Sequence, residues 1–312
     1  MKSALCLGLT PAWQRTMLFD KLDVDEVNRA RQVIETAAGK SVNTARALAL
    51  LGTRACAAGF NGGATGRAVD AFLRGCGVSS ALTPMRANTR VCTTLIDAQA
   101  GTVTELVEEA PDPGRAAVAR FVSANLKRTR DSAMLVISGT LPPFAGDAFY
   151  VGFVRAAADA GVEVVIDSQK AALINVLFER PLLAKLTVRE LESTLGEPMT
   201  NERRILRGMR DLMGMGAQNV FVTQGGKAAY LLTSKQAWRL TPPAVAGHVN
   251  PIGSGDCATA GIVHALMKRK RLLEAVSLGL ACGSANVESL TPADLDVRRV
   301  LALKRGIKAE AL

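Results

Sequence analysis

Short apolar, β-branched runs recur along this chain with helix-patterned stretches between them, and that alternation limits the fold more than any other feature of the sequence. The runs cover residues 4–9, 55–60, 134–138, 162–167 and 220–223. Strands of this kind are apolar on both sides and must be covered on both. Residues 42–51, 115–127, 147–160 and 201–213 read as helices, and the first stops at Gly52, a natural left-handed helix end. The alternation predicts an α/β fold: three layers, α/β/α, with a mostly parallel central sheet. Two stretches break it, residues 14–37 and 90–108. Within the second, residues 91–96 and 102–107 alternate about a turn at 98–101, which predicts strands outside the main sheet. The simplest organisation is a single domain over 1–312, with a small β lid formed by about 13–36 and 88–109.

Several functional classes are excluded early. No apolar run approaches the roughly 20 residues needed to span a bilayer. The apolar stretch after Lys2 is too short for a signal peptide and reads as a first buried strand. The six cysteines (Cys6, Cys56, Cys76, Cys92, Cys257 and Cys282) form no Cys-x-x-Cys pair and lie far from His248 and His264. That argues against zinc and for reduced core thiols of a cytoplasmic protein. The net charge is +10, partly from residues 268–271 and from Arg298, Arg299, Lys304, Arg305 and Lys308. These clusters read as a solvated helix end and a solvated C-terminal helix. Aromatics are only 4% of the chain, so stacking platforms for bases are scarce and no nucleic-acid partner is expected.

The strongest local signal is Asn250-Pro251-Ile252-Gly253-Ser254-Gly255-Asp256, opening a helix that continues to about Met267. Small residues let a ligand approach the backbone, and the free N–H groups of a first helical turn favour anions. Asp256 stands where it can reach a hydroxyl held beside that anion. Phosphoryl transfer needs this pair of features: charge stabilisation and a proton acceptor. An ordinary Asp N-cap after a glycine turn accounts for the same residues equally well.

Gly39-Lys40-Ser41 resembles the end of a P-loop, but the position of that loop's first glycine is Ile34 and no apolar strand precedes it directly. What survives is a tight turn, a cationic Lys40 and a polar Asn43 on a helix's first turn. That suits a hydroxylated or phosphorylated ligand, or simply a capped surface helix. Residues 59–66 form a glycine-rich strand-to-helix turn without the dinucleotide spacing. Ser138-Gly139-Thr140-Leu141-Pro142-Pro143 closes a very apolar strand, where ligands of parallel sheets bind.

Taken in order along nearly the whole chain, these segments resemble the PfkB (ribokinase-like) carbohydrate kinases, most closely the 1-phosphofructokinase and tagatose-6-phosphate kinase branch. The resemblance implies Asp256 as catalytic base and the amides of Gly253, Ser254 and Gly255 as anion hole. It implies substrate contacts from Gln14, Gly39, Lys40, Asn43, Arg90 and Gly139, with Arg90 gripping a substrate phosphate. On the nucleotide side it implies Lys185, Thr223, Gly225, Ser254, Gly283 and Asn286. Glu190 matches the family's organiser of magnesium waters, so ATP and Mg2+ are the implied cofactors. A homodimer paired through the lid is also implied.

Departures from the family pattern fall mainly on the sugar side. Gln14 stands where the family has Asp, and Ala38 and Ser41 where it has Gly. Thr187 stands where it has Asn, Pro251 where it has Thr, and Ala228 where it has Gly. The expected reaction is transfer of the γ-phosphate of ATP to a sugar hydroxyl. The basic trio Arg29, Lys40 and Arg90 favours a phosphorylated ketohexose: fructose 1-phosphate, fructose 6-phosphate or tagatose 6-phosphate. The alternatives are a kinase of an unphosphorylated sugar or nucleoside, and a non-catalytic sugar-phosphate or nucleotide sensor on the same fold.

Overall fold

The computed structural model describes every residue except Met1, Ala246 and His248, so the expectation concerning His248 lies outside the described residues. From the amino terminus, β1 (Ala4–Leu7), β2 (Ala12–Phe19) and β3 (Gln32–Ala38) precede α1 (Lys40–Leu50). Next come β4 (Ala55–Asn61), α2 (Gly63–Gly75), β5 (Ser79–Pro84), β6 (Val91–Asp97), β7 (Thr102–Val107) and α3 (Arg115–Asp131). The middle alternates strictly: β8 (Met134–Ser138), α4 (Val151–Asp159), β9 (Glu163–Asp167), α5 (Lys170–Ile174) and β10 (Leu183–Thr187). Then follow α6 (Val188–Leu195), α7 (Glu202–Gly214), β11 (Val220–Thr223), β12 (Ala229–Leu232) and β13 (Ala237–Thr241). The chain ends with α8 (Ser254–Met267), α9 (Leu272–Asn286), α10 (Val297–Lys304) and β14 (Lys308–Ala311).

The main sheet runs β14-β13-β12-β11-β10-β9-β8-β1-β4-β5. Its pairings are parallel from β5 to β11 and antiparallel from β11 to β14. The parallel part is apolar on both faces, as the runs predict. Ala4, Cys6, Met134 and Val136 join the cluster under α1, α8, α9 and α10. Their neighbours Leu5, Leu7, Leu135 and Ile137 join the cluster containing Phe121, Phe153 and Met209 of α3, α4 and α7. Successive side chains of a strand point to opposite faces, so one run of residues fills two cores. The result is the three-layer α/β/α arrangement.

A second sheet, β3-β2-β6-β7, stands apart from the first. Strand β2 pairs antiparallel with β3 and parallel with β6, and β6 closes a hairpin with β7. Strand β7 is largely exposed, whereas β2 and β6 alternate buried residues with half-buried ones, apart from the exposed Arg15.

Three details differ from the sequence expectations. The helix expected over 147–160 begins at Val151. Ahead of it, Phe149 N–H bonds Gly146 O and Val151 N–H bonds Ala148 O, a three-residue spacing too tight for α-helix. Lys308 belongs to the edge strand β14, because the chain after α10 turns back and pairs with β13. All six cysteines are free, and Cys6, Cys92, Cys257 and Cys282 are buried as expected, but Cys76 is exposed and Cys56 half-buried, so those two are not core thiols. Cys76 caps the end of the amphipathic helix α2, where the chain has left the core.

Candidate functional site

The parallel strands end at one rim of the main sheet, and the chemistry-bearing residues gather there. Asp256 lies in the first turn of α8, only 5% exposed. Gly253 caps that helix at φ 83°, and a Cβ there would sit 2.7 Å from the Pro292 side chain. Both facts demand glycine. Asn286 holds the turn from below, its amide donating to Ile252 O (2.8 Å) and Ser254 Oγ (3.1 Å). Its carbonyl accepts from Ala293 N–H at 2.9 Å. Of the amides expected to face an anion, that of Ser254 is turned to Pro251 O at 3.2 Å, because the chain closes a tight turn just before α8.

Helix α1 presents its own first turn to the same space. Gly39 (φ 101°) lets the loop pass Thr10, whose carbonyl oxygen would lie 2.8 Å from a Cβ there. Asn43 donates to Asp256 Oδ2 at 2.8 Å, joining two helices whose residues are 213 apart in sequence. Lys40 Nζ lies 3.2 Å from Glu190 Oε1 and 4.0 Å from Asp167 Oδ1. Burial works against the charge on Lys40, but Asp167, Glu190 and Asp256 together outweigh it and hold its pKa above the ordinary value.

Beneath these groups Lys185 and Asp167 form an ion pair at 2.7 Å, both side chains almost wholly buried. Thr259 Oγ1 donates to the same Asp167 oxygen at 2.7 Å. Burial opposes ionisation of Asp167, yet Lys185, Lys40 and these hydrogen bonds hold its pKa below the usual carboxylate value. A methyl on Gly255 would lie 3.3 Å from Lys185 Nζ, so the ammonium sits directly under the glycine turn. For Asp256 the balance reverses. Burial pushes its carboxyl up to about 7, with Lys40 opposing and Asp167 adding to the rise.

The second sheet supplies the remaining wall. Gln14 of β2 is buried and donates to Thr94 Oγ1 at 2.7 Å. The Arg90 guanidinium bonds Thr10 O (3.1 Å) and Glu108 O (3.2 Å), while its buried Nε has no partner among the described residues. Glu105 of β7 faces the same space, and burial raises its carboxyl pKa against the pull of Arg90.

These residues enclose a cavity of about 330 Å³ that includes Gln14, Gly39, Lys40, Asn43, Arg90, Lys185, Glu190 and Asp256. A second cavity of about 280 Å³ includes Thr223, Gly225, Ser254 and Gly283, with Pro242, Pro243 and Val245 as an apolar wall. Thr187 and Gly255 line both, so the cavities meet at the glycine turn of α8. Two expected site residues line neither. Asn286 is fully buried as the strut described above. Gly139 lies beside Lys40, with its carbonyl taken by Ser168 Oγ at 2.8 Å.

Asp167, Glu105 and Cys92 also line the first cavity and were not singled out from the sequence. Asp167 did carry a signal: it is the one acidic residue closing an apolar run, at a strand's carboxyl end. Among the described residues no group of three or more metal-ligating side chains exists. A hard cation that keeps most of its water needs fewer. Asp167 Oδ1 is a buried oxygen with no hydrogen-bond partner among the described residues. Glu190 lies close by, its other oxygen engaged in the capping box with Thr187. The free Asp167 oxygen, with Glu190 shared between Lys40 and Thr187, fits such a cation held largely through water. Among the described residues no helix is long and apolar enough to cross a membrane.

The sequence matches the pfkB family carbohydrate kinases over residues 1–296. A tagatose-6-phosphate kinase of Staphylococcus epidermidis is 28% identical over 291 residues, 90% of this chain and 91% of that protein. The fold superposes on phosphofructokinase-2 from Escherichia coli with TM-score 0.89 at 23% identity, over 98% of this chain and 99% of the other. It also matches the ribokinase of Arabidopsis thaliana, complexed with ribose and ATP, with TM-score 0.77 at 18% identity, over 97% and 99% of the two chains.

Proposed function

Because the chain belongs to the pfkB family of carbohydrate kinases, we propose that it transfers the γ-phosphate of ATP to a hydroxyl of a phosphorylated ketohexose, with Asp256 as general base. The observation that carries this reading is the place of Asp256. Its buried carboxylate lies at the helix terminus where the two cavities meet, with a pKa near 7. The sugar occupies the first cavity and the nucleotide the second. ATP then presents its terminal phosphate to the glycine turn, where the amides of Gly253 and Gly255 and the start of α8 favour negative charge. Asp256 accepts the proton of the attacking hydroxyl, oriented by the Asn43 amide. Asp167 and Glu190 would hold magnesium through water, and the bound ion would supply charge neutralisation at the ATP phosphates.

The substrate class rests on the cations of the first cavity. Lys40 and Arg90 line it, and both are cations suited to a phosphate. The tagatose-6-phosphate kinase relative supports a phosphorylated ketose. The second sheet acts as a lid over the sugar, so that water does not intercept the phosphoryl group. Val33 (45% exposed) and Leu106 (54% exposed) share that sheet's outer side with the Arg15–Glu35 ion pair, a mixed surface on which a second copy would pair.

The test is ADP release with ATP and magnesium across fructose 1-phosphate, fructose 6-phosphate, tagatose 6-phosphate and the free sugars. One phosphorylated ketose is expected to turn over well above the others. Arg90→Ala should raise KM for that ketose by about 10–100-fold, the worth of one or two hydrogen bonds to a charged group. Equal turnover of the free sugar, with KM unmoved by Arg90→Ala, would transfer the reading to an unphosphorylated acceptor. ATP binding without turnover of any acceptor would make the chain a sensor.

A further inference from the structure

Arg46, on α1 six residues beyond Lys40, has no place in the chemistry above, yet it is buried. Its residue surface is 6% exposed. Among the described residues no salt bridge reaches it, and its Nε has no hydrogen-bond partner. Burial therefore lowers its pKa, although Cys76, Cys257 and Asp294 favour the charge. A buried guanidinium without a carboxylate is costly to keep. Its contacts show what it holds. Nη1 donates to Ala37 O at 2.7 Å. The guanidinium carbon lies 4.9 Å from the centre of the Phe72 ring, in cation–π contact. On α2, Phe72 in turn meets Trp13 edge to face, with centroids 6.2 Å apart.

Trp13 and Ala37 are directly paired residues of β2 and β3. One side chain of the core thus reaches a single rung of the second sheet from both strands: Ala37 by a hydrogen bond, Trp13 through Phe72. That rung is the root of the sheet. One rung further out lie Gln14 and Thr36, and on the other side Ala38 leads into Gly39 and Lys40.

We propose that Arg46 is a positioning residue that clamps the root of the second sheet to α1 and α2, so that the sheet seats over the sugar cavity with Lys40 and Gln14 in register. The inference rests on the lid reading above. A planar fork suits this task, since it can donate in its plane and stack on a ring face, which an ammonium cannot do. Loss of the clamp lets the sheet ride loosely. Sugar is then held less well and water reaches the terminal phosphate, while the nucleotide cavity, on the other side of α8, is untouched.

The test compares wild type with Arg46→Met, Arg46→Lys and Phe72→Leu. Phe72→Leu keeps the charge and removes its ring. The first readout is amide hydrogen exchange, which needs no turnover. Residues 12–19 and 32–38 should exchange roughly tenfold faster or more in Arg46→Met, the worth of a lost charge-assisted hydrogen bond, while β8 to β10 stay protected. The second readout is kinetic. KM for the sugar phosphate should rise about tenfold or more at nearly constant KM for ATP. The ratio of ADP released to sugar phosphorylated should climb above the wild-type value, and Arg46→Lys should rescue neither. Unchanged exchange in both sheets, or exchange rising equally in both with the ratio unmoved, overturns the clamp. If wild type phosphorylates no sugar at all, the proposed reaction fails, and the exchange comparison alone decides on Arg46.

Discussion

Asp256→Asn should lower kcat by on the order of 10²–10⁴, the usual worth of a positioned general base. Size and shape are conserved, so the Asn43 amide keeps an oxygen to donate to and the α8 turn keeps its strut. The fold should gain rather than lose. The Asp256 carboxyl is pushed up to about 7 from its ordinary value of 3.8, chiefly by burial. The unfolded chain thus releases this proton near pH 4 and the folded chain only near pH 7. Below both values the group contributes its full stability. That contribution is lost as pH rises through the interval, at no more than about 1.4 kcal/mol per pH unit. Asn carries no such charge, so the variant should melt above wild type at pH 8 and alongside it near pH 4. For wild type, kcat/KM should rise through an acid limb centred near 7. A variant within a few-fold of wild-type kcat, or a limb that stays near 4, removes Asp256 as the base.

The parts of this molecule that read directly from sequence are those built from local pattern. Apolar runs such as residues 134–138 declare strands buried on both faces, and the alternation around 98–101 declares a hairpin. The glycine turn before Asp256 declares a helix start that can take an anion. What did not read was whatever depends on pairing across the chain. Asp167 looks like the end of one more apolar run, and only the sheet places it beside Lys185 and Thr259, 18 and 92 residues away. Glu105 alternates like any edge-strand residue, and the β2–β6 pairing is what brings β7 over the cavity. Asn286 sits in the expected neighbourhood, but its amide is consumed by the turn it supports. Sequence order located the segment, and hydrogen-bond satisfaction decided which way the side chain faces.

Lys185→Met should cost about 3–5 kcal/mol of stability at pH 7, the largest stability effect expected of any single change at the site. Lys185 and Asp167 are 1% and 2% exposed, so removing the ammonium leaves a carboxylate that water cannot reach. Thr259 donates only one hydrogen bond to it, and Lys40 stands at 4.0 Å. The pH dependence has the opposite sign to that of Asp256. The paired Asp167 has a folded pKa below its unfolded one, so its contribution is present above about pH 4 and lost as pH falls through the folded value. The deficit of Lys185→Met relative to wild type should therefore be full at pH 7 and shrink in acid, where the orphaned carboxyl is neutral. Combining it with Asp167→Leu removes the stranded charge and should recover much of the stability, because replacing both members of a buried pair by apolar groups is often near neutral. Activity should not return with it. Asp167 Oδ1 is the unpartnered oxygen of a residue lining the first cavity, and no leucine can hold a hydrated cation or balance the charge of Lys40. Urea unfolding of the two single variants and the double variant at pH 7, with ADP release measured on each, separates the roles. Additive stability losses would show that the pair is not coupled, and an active double variant would show that the pair serves the fold alone.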